Sequence, residues 1–317
     1  MIIMYGPTGV GKSDSALELA QYIPAEIINM DVGQFYHPLT IGTAKPDWRS
    51  STITHHLFDI VDKPIDYTVV AYKKDVLALV HQIRARGNMP ILVGGSGFYL
   101  KSLFFTPIAV EVHNNPPMQA CDDEKSLWDT LYAIDPQRAH AIQPHDTYRI
   151  QRALAIWYAS GIKPSAYKPV YHNDFGRYAV VGLFRDRDDL YTRINNRVVS
   201  MFDAGWVDEV RSLSPAWIDF IRRKKIIGYN EIDAYLNNEN PTIAMYNQLI
   251  EDIAQRTRQY ARRQMIFWRM LIREFQHAWQ QEAGNRPLHI DITMTKTSLI
   301  EYKNQLDILY RTLSFKD

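Results

Sequence analysis

The chain has a single cysteine in 317 residues, a net charge of only +1, and no apolar run long enough to span a bilayer. A lone Cys121 excludes an internal disulfide and a cysteine-built metal site, and fits a reducing compartment. The balance of charges excludes a protein that meets nucleic acid through bulk basicity, although a local basic face remains open. Short apolar runs exclude a membrane helix. Internal repeats and low-complexity segments are absent. Met1 leads directly into Ile2-Ile3-Met4-Tyr5 and a glycine loop, which leaves no room for a secretory leader; a cytoplasmic protein is expected.

What is present is ordinary globular composition, 46% hydrophobic and 22% charged, in a length that allows one elaborated domain or two. Through the first hundred residues short apolar runs alternate with helical patterns. Ile2 to Tyr5, Ile27 to Met30 and Ile91 to Val93 read as strands; Ser13 to Tyr22 and Val69 to Arg86 read as helices, the second closed by Gly87. This alternation predicts an α/β fold: a P-loop-type, mainly parallel sheet flanked by helices. From Thr106 the texture changes to short helical patterns punctuated by proline, with no convincing strand before Tyr178–Phe184. One good helix has Asp146 as its N-cap and Gly161 as its end, with Ile150, Ala153, Leu154, Trp157 and Tyr158 as its apolar positions. A catalytic core of residues 1–106 and 178–317 with an inserted small helical domain over 107–177 is expected. Leu288 to Ile292 adds a late strand.

The strongest local signal is Gly6-Pro7-Thr8-Gly9-Val10-Gly11-Lys12-Ser13, a full G-x-x-x-x-G-K-[ST] between a strand and a helix. Glycines let backbone N–H groups close around phosphate oxygens, the helix N-terminus favours negative charge, Lys12 adds a point charge, and Ser13 is placed to ligand Mg²⁺. The competing reading, an unrelated glycine turn, loses to the satisfied context. The loop alone points to a nucleotide such as ATP. An NTPase usually places a Mg²⁺-associated aspartate at the end of another strand, whereas here that strand ends in Gly94-Gly95-Ser96. Asp31 is the acidic residue best placed near the phosphates, and its pattern alone leaves metal binding, base chemistry and turn capping equally open.

A second signal is basic. Ile253 to Arg273 holds six arginines and no acidic residue; Arg258, Arg262, Arg269 and Arg273 share one helical face, with Ile253, Tyr260, Phe267 and Leu271 nearly opposite. Arg222-Arg223-Lys224-Lys225 and the pair Arg149 and Arg152 add two more clusters. A solvated charged face explains one such run; three on a near-neutral protein favour an RNA or DNA partner. His55-His56 carries little as a metal pair, because adjacent strand positions point to opposite faces and no carboxylate lies at ligand spacing.

Several segments together resemble the tRNA dimethylallyltransferase family, also called tRNA isopentenyltransferases. They are the Gly6–Ser13 loop, Asp31 to Tyr36 running into Ile41-Gly42-Thr43-Ala44-Lys45-Pro46, His56-Leu57-Phe58-Asp59, and Gly94-Gly95-Ser96-Gly97-Phe98-Tyr99. Arg149 to Ala155, Ile227-Gly228-Tyr229 and Arg258 to Gln264 with Trp268 follow in family order. The resemblance implies transfer of a dimethylallyl group from dimethylallyl diphosphate to N6 of the adenosine 3′-adjacent to a tRNA anticodon, with Mg²⁺. By the same resemblance the glycine loop and Lys225 hold the diphosphate, and Asp31 and Ser96 are catalytic. Asp31, Val32, Gly33, Gln34, Tyr148, Arg149, Ile150, Gln151, Arg152, Arg258 and Arg262 meet tRNA, and the insertion clasps the anticodon stem-loop. Val32 and Gly33 stand where the family usually has Ser and a small residue or Met, and Val112 to Asp123 offers no arginine for a contact some members make. A monomer with no membrane partner is expected. The rival readings are prenylation of free adenine nucleotides, a P-loop kinase of a small metabolite, and a non-catalytic RNA-binding module.

Overall fold

The computed structural model describes residues 1–106, 124–281 and 287–294; Cys121 and the 112–123 segment lie outside them. In chain order come β1 (Ile2–Tyr5), α1 (Lys12–Tyr22), β2 (Ala25–Asn29), a 3-10 turn (Val32–Phe35), β3 (His55–His56), α2 (Val69–Ala85), β4 (Met89–Gly94) and α3 (Gly97–Phe104). Next are β5 (Phe105–Thr106), α4 (Glu124–Ile134), α5 (Pro136–His140), α6 (Thr147–Ser160) and β6 (Val170–Tyr171). The chain continues through β7 (Ala179–Phe184), α7 (Arg187–Asp203), α8 (Trp206–Arg211), α9 (Pro215–Lys224), α10 (Tyr229–Leu236), α11 (Ile243–Gln281) and β8 (Leu288–Thr293). Contacts group these residues into two compact units, one of residues 1–101 and 174 onward, the other of residues 102–173.

The larger unit is built on a six-stranded sheet in the order β3-β2-β4-β1-β7-β8, every pairing parallel. Strands buried on both faces need apolar residues at every position rather than alternation, and β1 is buried along all four residues. Ile2 and Met4 meet α1 through Ala16, Leu19 and Ala20, in one cluster with Ile27, Ile91 and Val93. Ile3, Ile28 and Leu92 alternate to the other face and are equally buried. On α2, capped by the Thr68 hydroxyl, Tyr72, Val76, Val80 and Ile83 form the buried stripe.

The smaller unit buries Leu127, Leu131, Ala139, Ile142, Ile150, Ala153 and Leu154 together. Its α6 starts and stops where the sequence signals say: the Asp146 carboxylate accepts from the Arg149 N–H, and Gly161 takes φ +67°. Two expectations are corrected. A strand does lie before Tyr178, because Val170–Tyr171 pairs antiparallel with Phe105–Thr106; two residues are too few to show periodicity. Tyr158 is exposed rather than apolar-face, since the buried stripe of α6 runs only through Ile150, Ala153 and Leu154.

The stripe on the 39-residue α11 also differs from the expected one. Ile253 and Leu271 are buried, but Tyr260 and Phe267 are half-buried, and Ala261, Gln264 and Trp268 take the central places. Positions seven apart drift about 20° per heptad on a straight helix, so a wheel read from Ile253 in steps of seven leaves the core face. No helix among the described residues is long and apolar enough to cross a membrane.

Candidate active site

The turn between β1 and α1 demands its glycines. Gly9 and Gly11 sit at φ +82° and +106°, where a Cβ is strained. A Cβ on Gly6 would stand 2.6 Å from the Leu183 carbonyl oxygen of β7. The loop ends at Lys12, the first residue of α1, whose Nζ donates to the carbonyls of Gly6 (3.0 Å) and Pro7 (2.9 Å). Burial pushes the Lys12 ammonium down to about 8, with Asp31 pulling it back up and Arg197 adding to the fall.

Asp31 stands just past the end of β2, on the C-terminal edge of the parallel sheet. Its backbone N–H donates to Asn29 Oδ1 (2.8 Å), and its Oδ1 accepts from the Gly33 N–H (3.3 Å) as the cap of the 3-10 turn. Burial raises the Asp31 carboxyl above its ordinary range, opposed by Lys12, the Gly33 N–H and Arg197. Burial makes such a carboxylate a stronger proton acceptor than a solvated one, while the neighbouring cations favour its charged form. Gln34 is fixed by its Nε2, which donates to the carbonyls of Thr43 (3.0 Å) and Ala44 (3.2 Å).

Two further elements support the glycine loop. On α11, Gln264 accepts from the Thr8 N–H (2.8 Å) and donates to the Gly95 carbonyl (3.0 Å), tying the glycine loop to the end of β4. Around the loop, Arg185 Nε donates to the Val10 carbonyl (2.9 Å), Arg193 Nε to the Gly9 carbonyl (3.0 Å), and Arg197 Nη2 to the Thr8 hydroxyl. The Nε of Arg197 is buried with no partner among the described residues, and burial lowers this guanidinium from its usual range against the pull of Asp31. The sequence reading passed over these arginines. Arg193 and Arg197 are four residues apart and so share a face of α7, but only the fold brings that face to the glycine loop.

A cavity of about 590 Å³ joins these groups, a size typical of small-molecule sites. Thr8, Gly9, Gly11, Lys12, Ser13, Arg193 and Arg197 form its cationic, glycine-loop end; Asp31 and Gln34 line it, as do Ala16, Leu17, Ile27, Phe58 and Val93. His55 also lines it, with Nδ1 2.7 Å from the Ile53 carbonyl, while His56 turns away to Glu26 at 2.6 Å. Among the described residues no group of three or more His, Cys, Asp or Glu side chains is placed to hold a metal ion.

The remaining expected site residues fall elsewhere. Gly6, Pro7 and Val10 shape the loop through their backbones without lining the cavity. Ser96 is turned so that its Oγ accepts from the Val32 N–H (3.2 Å); it, Val32 and Gly33 are not part of the lining. Lys225 ends α9 at φ +52°, also outside the cavity. On the smaller unit Tyr148 is 75% exposed, Gln151 is exposed, Arg152 is half-buried and Arg149 pairs with Asp146 at 2.6 Å. Ile150, at 1% exposure, is a core residue whose side chain packs inward. Arg262 is exposed, whereas Arg258 is engaged by Glu251 (2.9 Å) and Asn195 (2.6 Å).

The chain is similar to known proteins. A family profile described as IPP transferase matches residues 34–271. A tRNA dimethylallyltransferase of Petrotoga mobilis is 36% identical over 287 residues, covering 86% of this chain and 91% of the relative. Among solved structures, a eukaryotic dimethylallyltransferase captured acting on tRNA superposes with a TM-score of 0.79 at 26% identity, over 100% of this chain and 80% of the other. The full-length tRNA isopentenylpyrophosphate transferase of Bacillus halodurans gives 0.61 at 26% identity, over 98% and 96% of the two chains.

Proposed function

The chain belongs to the IPP transferase family, and from that premise we propose that its cavity transfers a dimethylallyl group from dimethylallyl diphosphate to N6 of the adenosine 3′-adjacent to a tRNA anticodon. One observation supports this reading above the others: Lys12, Arg197 and the carboxylate of Asp31 line the same cavity as a set of apolar side chains. That combination suits a leaving diphosphate, a five-carbon hydrocarbon and a nucleophile that must lose a proton.

The bond between the allylic carbon and the diphosphate oxygen breaks, its electron pair leaving with the diphosphate. Loop N–H groups at the start of α1, Lys12 and the arginines of α7 meet the growing negative charge. The buried Nε of Arg197, without a partner among the described residues, is a donor already stripped of water. The N6 lone pair forms the new carbon–nitrogen bond. Adenine's exocyclic amine is a weak nucleophile because that pair is delocalised into the ring, so removal of its proton by Asp31 as the bond forms lowers the barrier. Mg²⁺ fits this donor set as an ion that substrate phosphates would mainly carry, and that Ser13 Oγ and Asp31 would help to hold. Bound there, it supplies charge neutralisation of the leaving diphosphate. Ala16, Leu17, Ile27, Phe58 and Val93 keep water from the allylic centre. For the residue 102–173 unit we assign contact with the anticodon stem-loop through Tyr148, Arg149 and Arg152, an exposed aromatic with two cations. Stacking and phosphate contact are how single-stranded loops are held.

The deciding measurement is incubation of purified protein with unmodified tRNA and radiolabelled dimethylallyl diphosphate, with and without Mg²⁺. Label entering the tRNA at that adenosine is the expected result. Folded protein that leaves the tRNA unlabelled, or that labels free adenine nucleotides instead, overturns the proposal.

A further inference from the structure

Thr43, Ala44 and Pro46 contribute the loop wall of the cavity. The segment is a tight turn, with Ala44 N–H on the Ile41 carbonyl (2.9 Å) and Lys45 N–H on that of Thr40 (3.1 Å). Ala44 sits at φ +51°, a region costly to any residue with a Cβ. Such a turn needs an external hold, and α8 provides it. Glu209 Oε2 accepts from the N–H groups of Thr40 (3.0 Å) and Ile41 (2.7 Å); Oε1 accepts from Gly42 N–H (3.4 Å) and the Tyr229 hydroxyl (2.6 Å). Successive N–H groups converging on one carboxylate make an anion nest. Three residues earlier on α8, the Trp206 indole fills the space where a Cβ on Gly42 or Gly228 would lie, at 2.1 and 1.9 Å.

The hold reaches the cavity through Gln34. Its amide touches two carbonyl oxygens, Thr43 and Ala44, so the nitrogen must face the loop and Oε1 is left as an acceptor. Adenine's exocyclic amine carries two N–H bonds. Asp31 takes the proton of one, and Gln34 Oε1 is matched to the other; a 6-oxo purine would bring an acceptor against two acceptors.

We propose that Glu209 is a positioning residue for the acceptor base: by fixing the Thr40–Ala44 turn it orients the Gln34 amide that receives the exocyclic amine. This rests on the reading that an adenine N6 enters the cavity. Glu209→Ala is expected to lower kcat/KM for tRNA about tenfold or more while leaving KM for dimethylallyl diphosphate within about twofold. Glu209→Gln keeps an oxygen for Thr40 and Ile41 and recovers most of the loss. The decisive readout is a double-mutant cycle with Gln34→Ala. If Glu209 acts through Gln34, the double variant is no slower than Gln34→Ala alone.

Losses that multiply, or an equal rise in both KM values, overturn the proposal. Should Glu209→Ala melt below the assay temperature, the same cycle run with Glu209→Gln, which forfeits the Gly42 bond, gives a smaller loss that must still vanish beside Gln34→Ala. Wild-type protein that labels tRNA but gives an additive cycle defeats this inference alone. Wild-type protein that labels no tRNA defeats the functional reading beneath it as well.

Discussion

Asp31 illustrates how one residue takes its chemistry from its surroundings. In the sequence it is equally a metal ligand, a base or a turn cap, and in the fold it caps the turn while lining the cavity. Burial lifts its carboxyl above the ordinary range, so its basic form is lost at higher pH than for a free carboxylate. The acid limb of kcat/KM should therefore lie above the usual carboxylate range, because activity falls as pH drops through the raised value. Asp31→Asn should lower the single-turnover rate about 10²- to 10⁴-fold and leave tRNA affinity nearly unchanged. A normal acid limb in the pH–rate profile, or a rate within tenfold of wild type, would remove Asp31 from the chemistry.

At the scale of elements, the sheet edge is clamped by a buried carboxylate. Glu26 on β2 receives Arg86 through Nε (2.8 Å) and Nη2 (2.7 Å), Asn88 Nδ2 (2.8 Å) and His56 Nε2 (2.6 Å). Arg86 is the main reason its carboxyl falls to about 2, with burial opposing and Asn88 and His56 assisting. A folded-state value depressed below the unfolded one contributes stability above the unfolded value and loses it as pH falls. For Glu26 that window runs from about 4.5 down to about 2. The contribution is on the order of 3 kcal/mol. Glu26→Gln should lower the denaturant midpoint at pH 7 and flatten the change between pH 5 and pH 3. An unaltered acid dependence would show that the clamp adds nothing.

For the molecule as a whole, a near-neutral chain meets a polyanion by segregating its charge. Arg262, Arg263, Arg269 and Arg273 are exposed along α11, whereas Arg258 is held by Glu251 and Asn195 between α11 and α7. Arg262→Ala should weaken tRNA binding and reduce the slope of log affinity against log salt by about 1. Arg258→Ala, which breaks an internal tie, should lower stability with little change in that slope. Filter binding across a salt series tests both; equal slopes for wild type and Arg262→Ala would place this face away from RNA.

Local rules made much of the protein legible in its sequence. The glycine-loop pattern, α2 and both ends of α6 depend on interactions within a few residues, so composition and spacing suffice to place them. Asp31 and Gln34 were legible as members of a recognisable run. Given no role by the sequence were the groups that reach the site from far along the chain: Arg193 and Arg197 from α7, Gln264 from α11, although it closes the recognised Arg258–Gln264 run, and Glu209 from α8. Each looks like a surface polar residue on an amphipathic helix. Its partner is a backbone atom or hydroxyl about 170 to 260 residues away in the chain, and backbone groups carry no sequence identity. The sequence by itself determined a complete phosphate-loop pattern at Gly6–Ser13, the proposed diphosphate site, and a carboxylate after the next strand. Only the tertiary structure decided which distant side chains line the cavity from α7 or brace its loops from α8 and α11, because that choice is set by how these helices pack and not by any local pattern.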